Sequence, residues 1–297
     1  MPKPIPAPRE EGYTTSTASP LYWVKYGRVG APRLLMLHGG PGADHRYMLP
    51  QMLHLGDRYD LVLYDQRGGG KSKSDARIPV TWQTHVEDLA AVIAEFGLDP
   101  LSIVGYSWGA MLGLLYAIEQ RKNPEHQQIS RIALISPAPL TKEYRRQFEA
   151  EFARRQASPE IQKLRDELAA SGLRERDPQG YRQRAFELGV AGYFSDPHKA
   201  TDLTPFRVVG RVQQSVWESL GDFNLIRDLE GIRIPSIVIH GRDDPIPLAS
   251  SSEAVRSLGT SLVVQDECGH VPYVEQPLKL FAALDPFLEE TNPPVRR

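Results

Sequence analysis

The stretch that most constrains this chain is Gly105-Tyr106-Ser107-Trp108-Gly109. A short apolar run, Leu101-Ser102-Ile103-Val104, leads into it, and a helical pattern with Met111, Leu112, Leu115 and Tyr116 leads out. Strand, sharp turn bearing a serine, then helix is the context in which G-x-S-x-G forms a nucleophile elbow. A serine at so tight a turn occupies strained backbone, and the residues two before and two after it must let strand and helix pass closely. Ser107 Oγ is then lifted clear of the sheet over a helix N-terminus, whose backbone N–H groups can bind an oxyanion. The alternative is a tight turn with an ordinary serine in it; the flanking pattern favours the nucleophile.

Other apolar runs surround the elbow. Arg33-Leu34-Leu35-Met36-Leu37 is near-continuous, as a strand buried on both faces must be. It stops at His38-Gly39-Gly40-Pro41-Gly42, which no regular element can hold. Residues 21–26 read as an early edge strand, behind an arm of alternating Pro and polar residues (1–12) that should be flexible or extended. Helical spacing at Met48, Leu49, Met52 and Leu53 precedes a strand over 60–65, which enters Gln66-Arg67-Gly68-Gly69-Gly70-Lys71-Ser72, a loop whose glycines suggest mobility. Thr84-His85-Val86-Glu87 reads as a capping box opening a helix through Leu89, Ile93 and Phe96, closed by Gly97.

Strands over 131–135, 236–240 and 262–264 and a last helix from about Pro277 to Leu288 complete the alternation. This order predicts an α/β fold, a doubly wound and mostly parallel sheet with helices on both faces. The alternation breaks at Ser136-Pro137-Ala138-Pro139, after which Arg, Glu and Gln dominate with helical spacing. The expected division is a core of residues 1–136 and 223–297 with a helical cap, 137–222, over one end of the sheet. The tail, residues 291–297, should fray.

Chain length, 297 residues, suits one large α/β domain carrying an insertion. A net charge of −2 argues against nucleic acid or an anionic membrane as partner. One cysteine, Cys268, leaves no intrachain disulfide and no cysteine-based metal framework. Neither a signal-peptide core nor a membrane-spanning run is present, so the expected location is cytoplasmic. Gly68–Ser72 lacks phosphate-loop spacing, because the sixth residue before Lys71 is Asp65 rather than Gly.

A serine hydroxyl needs a general base, and the base an orienting carboxylate. With the nucleophile elbow, chain order runs serine, acid, histidine, each after a strand. His126 and His198 lie in polar segments, and His240 closes its own strand upstream of the acid candidates. His270, in Cys268-Gly269-His270-Val271-Pro272, follows the last strand and is the expected base. For the acid, Gly241-Arg242-Asp243-Asp244-Pro245 offers two neighbours. Alternation points them to opposite sides, and Pro245 biases Asp244 toward an extended conformation. Asp244 is favoured, with Asp243 competing and Asp266 more distant. Backbone N–H groups of Trp108 and Gly40 are the candidate oxyanion donors, since Pro41 cannot donate. His38 reads as a hydrogen-bonded scaffold residue.

These residues resemble the α/β-hydrolase family, and more narrowly its prolyl aminopeptidase (proline iminopeptidase) branch. The resemblance rests on His38-Gly39-Gly40-Pro41-Gly42, Asp65-Gln66-Arg67-Gly68-Gly69-Gly70-Lys71-Ser72 and Gly105–Gly109, with the segments around Asp244 and His270 matching the wider superfamily. It implies a Ser107-Asp244-His270 triad, oxyanion donors at Gly40 and Trp108, no metal or cofactor, and a small-molecule or short-peptide substrate. It also implies cap carboxylates that hold a substrate α-amine. Glu218, Asp222 and Glu187 are candidates, each with a reading as a solvated or capping acid. Trp217, Tyr193 and Phe194 either line a pocket or pack the cap on the body. Ala110 stands where many relatives carry a further glycine. A carboxylesterase on the same scaffold is the alternative.

Overall fold

A computed structural model describes residues 4–289. Eight strands form one sheet in the order β1-β2-β4-β3-β5-β6-β7-β8. They are β1 (Glu10–Tyr13), β2 (Tyr22–Gly27), β3 (Arg33–Leu37), β4 (Asp60–Tyr64), β5 (Leu101–Tyr106), β6 (Ile129–Ile135), β7 (Ser236–Gly241) and β8 (Ser261–Gln265). The pairings β1–β2 and β2–β4 are antiparallel, and the other neighbouring strands pair parallel. The run over residues 21–26 is therefore not the edge. β1, formed by the end of the arm, pairs outside it, and Arg9 pins the arm by an ion pair to Asp60 at 2.8 Å. The tail expected to fray lies outside the described residues.

Parallel strands buried on both faces need apolar residues at consecutive positions, and alternate side chains then serve opposite cores. Leu35, Leu37, Ile103, Leu134 and Val238 pack in one cluster with helices α1 (Trp82–Glu95) and α2 (Trp108–Gln120). Leu34, Met36, Val104, Ile135 and Ile239 pack in the other with the last helix, Pro277–Glu289. Strand order reverses between β3 and β5, its neighbour. Such a switch point opens a crevice at the carboxyl ends of the strands, where His38 and Ser107 lie.

Three local expectations are corrected. The spacing at 48–53 forms 3₁₀ turns, His45–Met48 and Gln51–Asp57, not an α-helix. α1 starts earlier than Thr84: its N-cap is Thr81, whose hydroxyl accepts from Thr84 N while Thr84 Oγ1 accepts from Thr81 N. The capping residue and its partner are both threonines, a pairing the S/T-x-x-E pattern does not select. The glycine loop is held fast. Asp65 accepts from His45 Nδ1 at 2.7 Å and from Lys71 N at 2.8 Å, and a Cβ on Gly70 would lie 2.1 Å from Asp65 Oδ2.

Between β6 and β7 the described residues form helices: α3 (Lys142–Gln156), α4 (Pro159–Ala170), α5 (Leu173–Arg176), α6 (Pro178–Val190), α7 (Gly210–Ser219) and α8 (Leu225–Asp228), with 3₁₀ turns between α6 and α7. The two ends meet at a bridge between Thr141 and Asn224. α3 has no buried residue; intrahelical pairs such as Arg145–Glu149 and Arg155–Glu151 line it instead. α9 (Leu248–Leu258), α10 (Pro272–Glu275) and α11 (Pro277–Glu289) complete the core.

Candidate active site

Ser107 sits between β5 and α2 at φ 52°, ψ −116°, strained backbone for a residue with a side chain. Hydrogen bonds from Ser107 N to Ile135 O (2.9 Å) and from Ala138 N to Ser107 O (3.0 Å) hold it there. The two flanking glycines are sterically required. A Cβ on Gly105 would lie 2.6 Å from Ala110 Cα, and one on Gly109 2.1 Å from Leu37 O.

His270, on the loop after β8, brings Nε2 to 2.9 Å from Ser107 Oγ. Its Nδ1 lies 2.8 Å from Asp244 Oδ2, on the loop after β7. A carboxylate only accepts, so Nδ1 carries the proton and Nε2 is left to accept from the hydroxyl. In this arrangement the imidazole can take the Ser107 proton as Oγ attacks. Asp244 Oδ1 accepts from Ile246 N at 2.8 Å. Burial opposes the Asp244 charge, but the His270 and His240 rings and these hydrogen bonds hold its pKa below the usual carboxylate value. Asp243 points elsewhere and accepts from Ser195 Oγ at 2.8 Å. Tyr106 and Tyr193 pack against the His270 ring at 5.3 and 5.2 Å between centroids.

The amides of Gly40 and Trp108 have no backbone or side-chain acceptor among the described residues. Gly40 adopts φ +60°, and the loop approaches so closely that a Cβ on Gly39 would lie 2.7 Å from Ser107 Cβ. Gln66 holds both halves of this arrangement. Its backbone N donates to His38 Nε2 (3.1 Å), its Nε2 donates to His38 O (2.7 Å), and its Oε1 accepts from Trp108 Nε1 (2.8 Å). His38 is wholly buried, and burial lowers its pKa, so it stays neutral and structural. Among the described residues no group of three or more His, Cys, Asp or Glu is placed to hold a metal ion.

A family model described as "Alpha/beta hydrolase family" matches residues 34–284. The chain belongs to the alpha/beta hydrolase family. Among curated proteins, this hydrolase is 27% identical over 296 residues to a proline iminopeptidase of Lactobacillus delbrueckii subsp. bulgaricus, covering 90% of the chain and 94% of that relative. A solved structure of a proline iminopeptidase-related protein from Thermus thermophilus superposes with TM-score 0.70 at 22% identity, covering 94% of this chain and 96% of that one. Proline iminopeptidase of Mycobacterium smegmatis gives 0.67 at 21%, over 94% and 97%. The two structures share the fold with this hydrolase. No helix among the described residues is long and apolar enough to cross a membrane.

The candidate substrate-side residues fare differently. Asp222 is 89% exposed in its side chain and lies 3.5 Å from Lys142. Glu218 is exposed and accepts from Gln214 on its own helix at 2.7 Å. Glu187 is buried and paired with Arg184 at 2.8 Å. None of the three bonds to the Ser107–His270–Asp244 chain. Trp217 packs its ring 5.6 Å from Trp108 under the Arg145 guanidinium, which lies 4.2 Å above it. Phe194 is buried in the apolar core. Two residues that brace the site escaped the sequence reading: Gln66, whose position inside the Asp65–Ser72 stretch was the available signal, and Glu275, which accepts from Gly269 N at 2.6 Å beside His270 and has no signal beyond that closeness.

Proposed function

We propose that this chain is a serine hydrolase of the prolyl aminopeptidase type, working through an acyl-enzyme on small or short-peptide substrates. The observation that carries the reading is the unbroken relay from Asp244 through His270 to Ser107, at 2.8 and 2.9 Å. Ser107 Oγ attacks the scissile carbonyl while His270 Nε2 takes its proton. The developing oxyanion accepts from the Gly40 and Trp108 amides. His270 returns the proton to the leaving amine or alcohol, and water, deprotonated by the same imidazole, then releases the acyl group. Asp244 holds the tautomer and stabilises the imidazolium. The helices of residues 137–222 act as the cap that selects the acyl group.

Proline iminopeptidase relatives spanning most of the chain support release of an N-terminal residue. The test is a panel of aminoacyl p-nitroanilides and p-nitrophenyl esters. Turnover of Pro-p-nitroanilide is expected; its absence beside brisk ester hydrolysis overturns the peptidase reading. A carboxylesterase is the second reading, favoured by the solvated state of Glu218 and Asp222, which leaves neither acid committed to an amine. Running the panel with Glu218→Gln decides whether that acid anchors the substrate: undiminished anilide turnover removes it from the role.

A further inference from the structure

Glu275 closes the four-residue helix α10, one turn beyond His270, and is 4% exposed. Both of its carboxylate oxygens accept backbone N–H groups, and they come from two different parts of the chain. Oε2 accepts from Gly269 N at 2.6 Å, on the His270 loop. Oε1 accepts from Ser195 N at 2.8 Å and from Asp196 N at 3.4 Å, in the helical insertion. The same two segments meet again where His270 N donates to Tyr193 O at 2.7 Å, and the insertion is tied to a third, the loop after β7, where Ser195 Oγ donates to Asp243. The His270 loop and the insertion are pressed together so tightly that a Cβ on Gly269 would lie 2.2 Å from Tyr193 O.

We propose that Glu275 is a positioning residue: its ionised carboxylate clamps the His270 loop to residues 193–196 of the insertion, so that the seat of the insertion and the alignment of the imidazole on Ser107 form one unit. The proposal rests on the reading of His270 as the base for Ser107. Charge matters because only a carboxylate presents two acceptor oxygens to two sets of donors; a proton on either oxygen displaces one of them. Burial pushes the Glu275 pKa up to about 7, against the backbone donors and Lys199, which lower it. The clamp therefore opens as pH falls through neutrality.

The titratable groups around it are identifiable. Lys199, His198 and Asp202 lie on the 3₁₀ turn Pro197–Asp202, and Lys199 Nζ donates to the Glu275 carbonyl at 3.2 Å. Asp196 precedes that turn, Cys268 and His270 lie on the loop between β8 and α10, and Asp243 and Asp244 lie on the loop after β7. On the elements packed against α10, His54 is paired with Asp285 at 3.0 Å, Asp57 ends the turn Gln51–Asp57, and Lys279, Asp285 and Glu289 lie on α11.

The test is the rate of fluorophosphonate labelling of Ser107 against pH, in the wild type, Glu275→Gln and Glu275→Asp, with circular dichroism of each. Gln offers one acceptor oxygen and turns an NH₂ on the other donors, so labelling at pH 8 is expected to fall about 10- to 100-fold. Its acid limb should have a log–log slope of one, as a single ionisation gives, whereas the wild-type limb should be steeper. Asp keeps the charge and should keep the steeper limb. Equal rates and slopes in folded wild type and Gln variant overturn the proposal while leaving the serine-hydrolase reading intact. Should Gln fail to fold, an Asp variant with a slope of one overturns it. Absence of labelling in the wild type overturns the serine-hydrolase reading itself.

Discussion

At the scale of single residues, the proposed chemistry depends on which nitrogen of His270 carries the proton. Asp244 decides this because a carboxylate can only accept from Nδ1, at 2.8 Å. Asp244→Asn keeps the shape but lets a side-chain amide donate to Nδ1, which turns the proton onto Nε2, facing Ser107. The expected result is a fall in kcat of about ten-thousandfold with little change in KM or in far-UV circular dichroism. Steady-state kinetics on whichever ester or anilide turns over best checks it. Asp243→Asn should cost far less, since that side chain meets Ser195 and not the imidazole. That Ser107, His270 and Asp244 come together was legible in the sequence, because each sits at a strand end flanked by glycine or proline, whose steric demands mark the backbone. Glu275 was not legible. Its role comes from accepting amides of residues eighty positions away in the chain, and no local pattern announces that.

Among elements, the elbow is the place where steric fit governs stability. Gly109→Ala puts a Cβ 2.1 Å from Leu37 O, backbone that cannot move without shifting β3. Destabilisation of about 3 kcal/mol is expected from denaturant unfolding. Gly189→Ala is the control: it lies inside α6, a Cβ there meets nothing within 4 Å, and a gain of about 0.5–1 kcal/mol is expected. Equal effects at both positions would contradict the steric account. The core strands were readable because doubly buried strands leave continuous apolar runs. β1 was missed because Glu10–Tyr13 is largely exposed and joins the sheet only through β2. The start of α1 was displaced because Thr81 and Thr84 cap one another without an acidic residue. The glycine loop after β4 was misjudged as mobile: its glycines answer to Asp65 and Ala43 backing onto them.

For the whole molecule, buried carboxyl groups of opposite shift set how stability follows pH. Asp65 and Asp244 have lowered folded-state pKa values; burial opposes their charge, but His45 at Asp65 and His270 at Asp244 outweigh it. Their stabilisation is present above the ordinary carboxylate range, near 4, and is lost as pH falls through the folded values. Glu275 has the opposite sign. Raised from 4.5 to about 7, it contributes stability that is full below 4.5 and lost as pH rises through 7. Tm should therefore peak at about pH 5, and Glu275→Gln should flatten the decline between about pH 5 and 7. A scan of Tm against pH that is unaltered in the variant contradicts this assignment. The α/β sheet was predictable at this scale, but the packing of the insertion was not, because α3 has no buried residue and its aromatic residues Phe148 and Phe152 meet Tyr193 only in three dimensions. The central claim, that Ser107 is a nucleophile activated by His270 and Asp244, is tested most directly by intact-mass analysis after fluorophosphonate treatment. One adduct per chain on Ser107, absent in Ser107→Ala and strongly slowed in His270→Ala, is the predicted result; no adduct, or one that persists in Ser107→Ala, would contradict it.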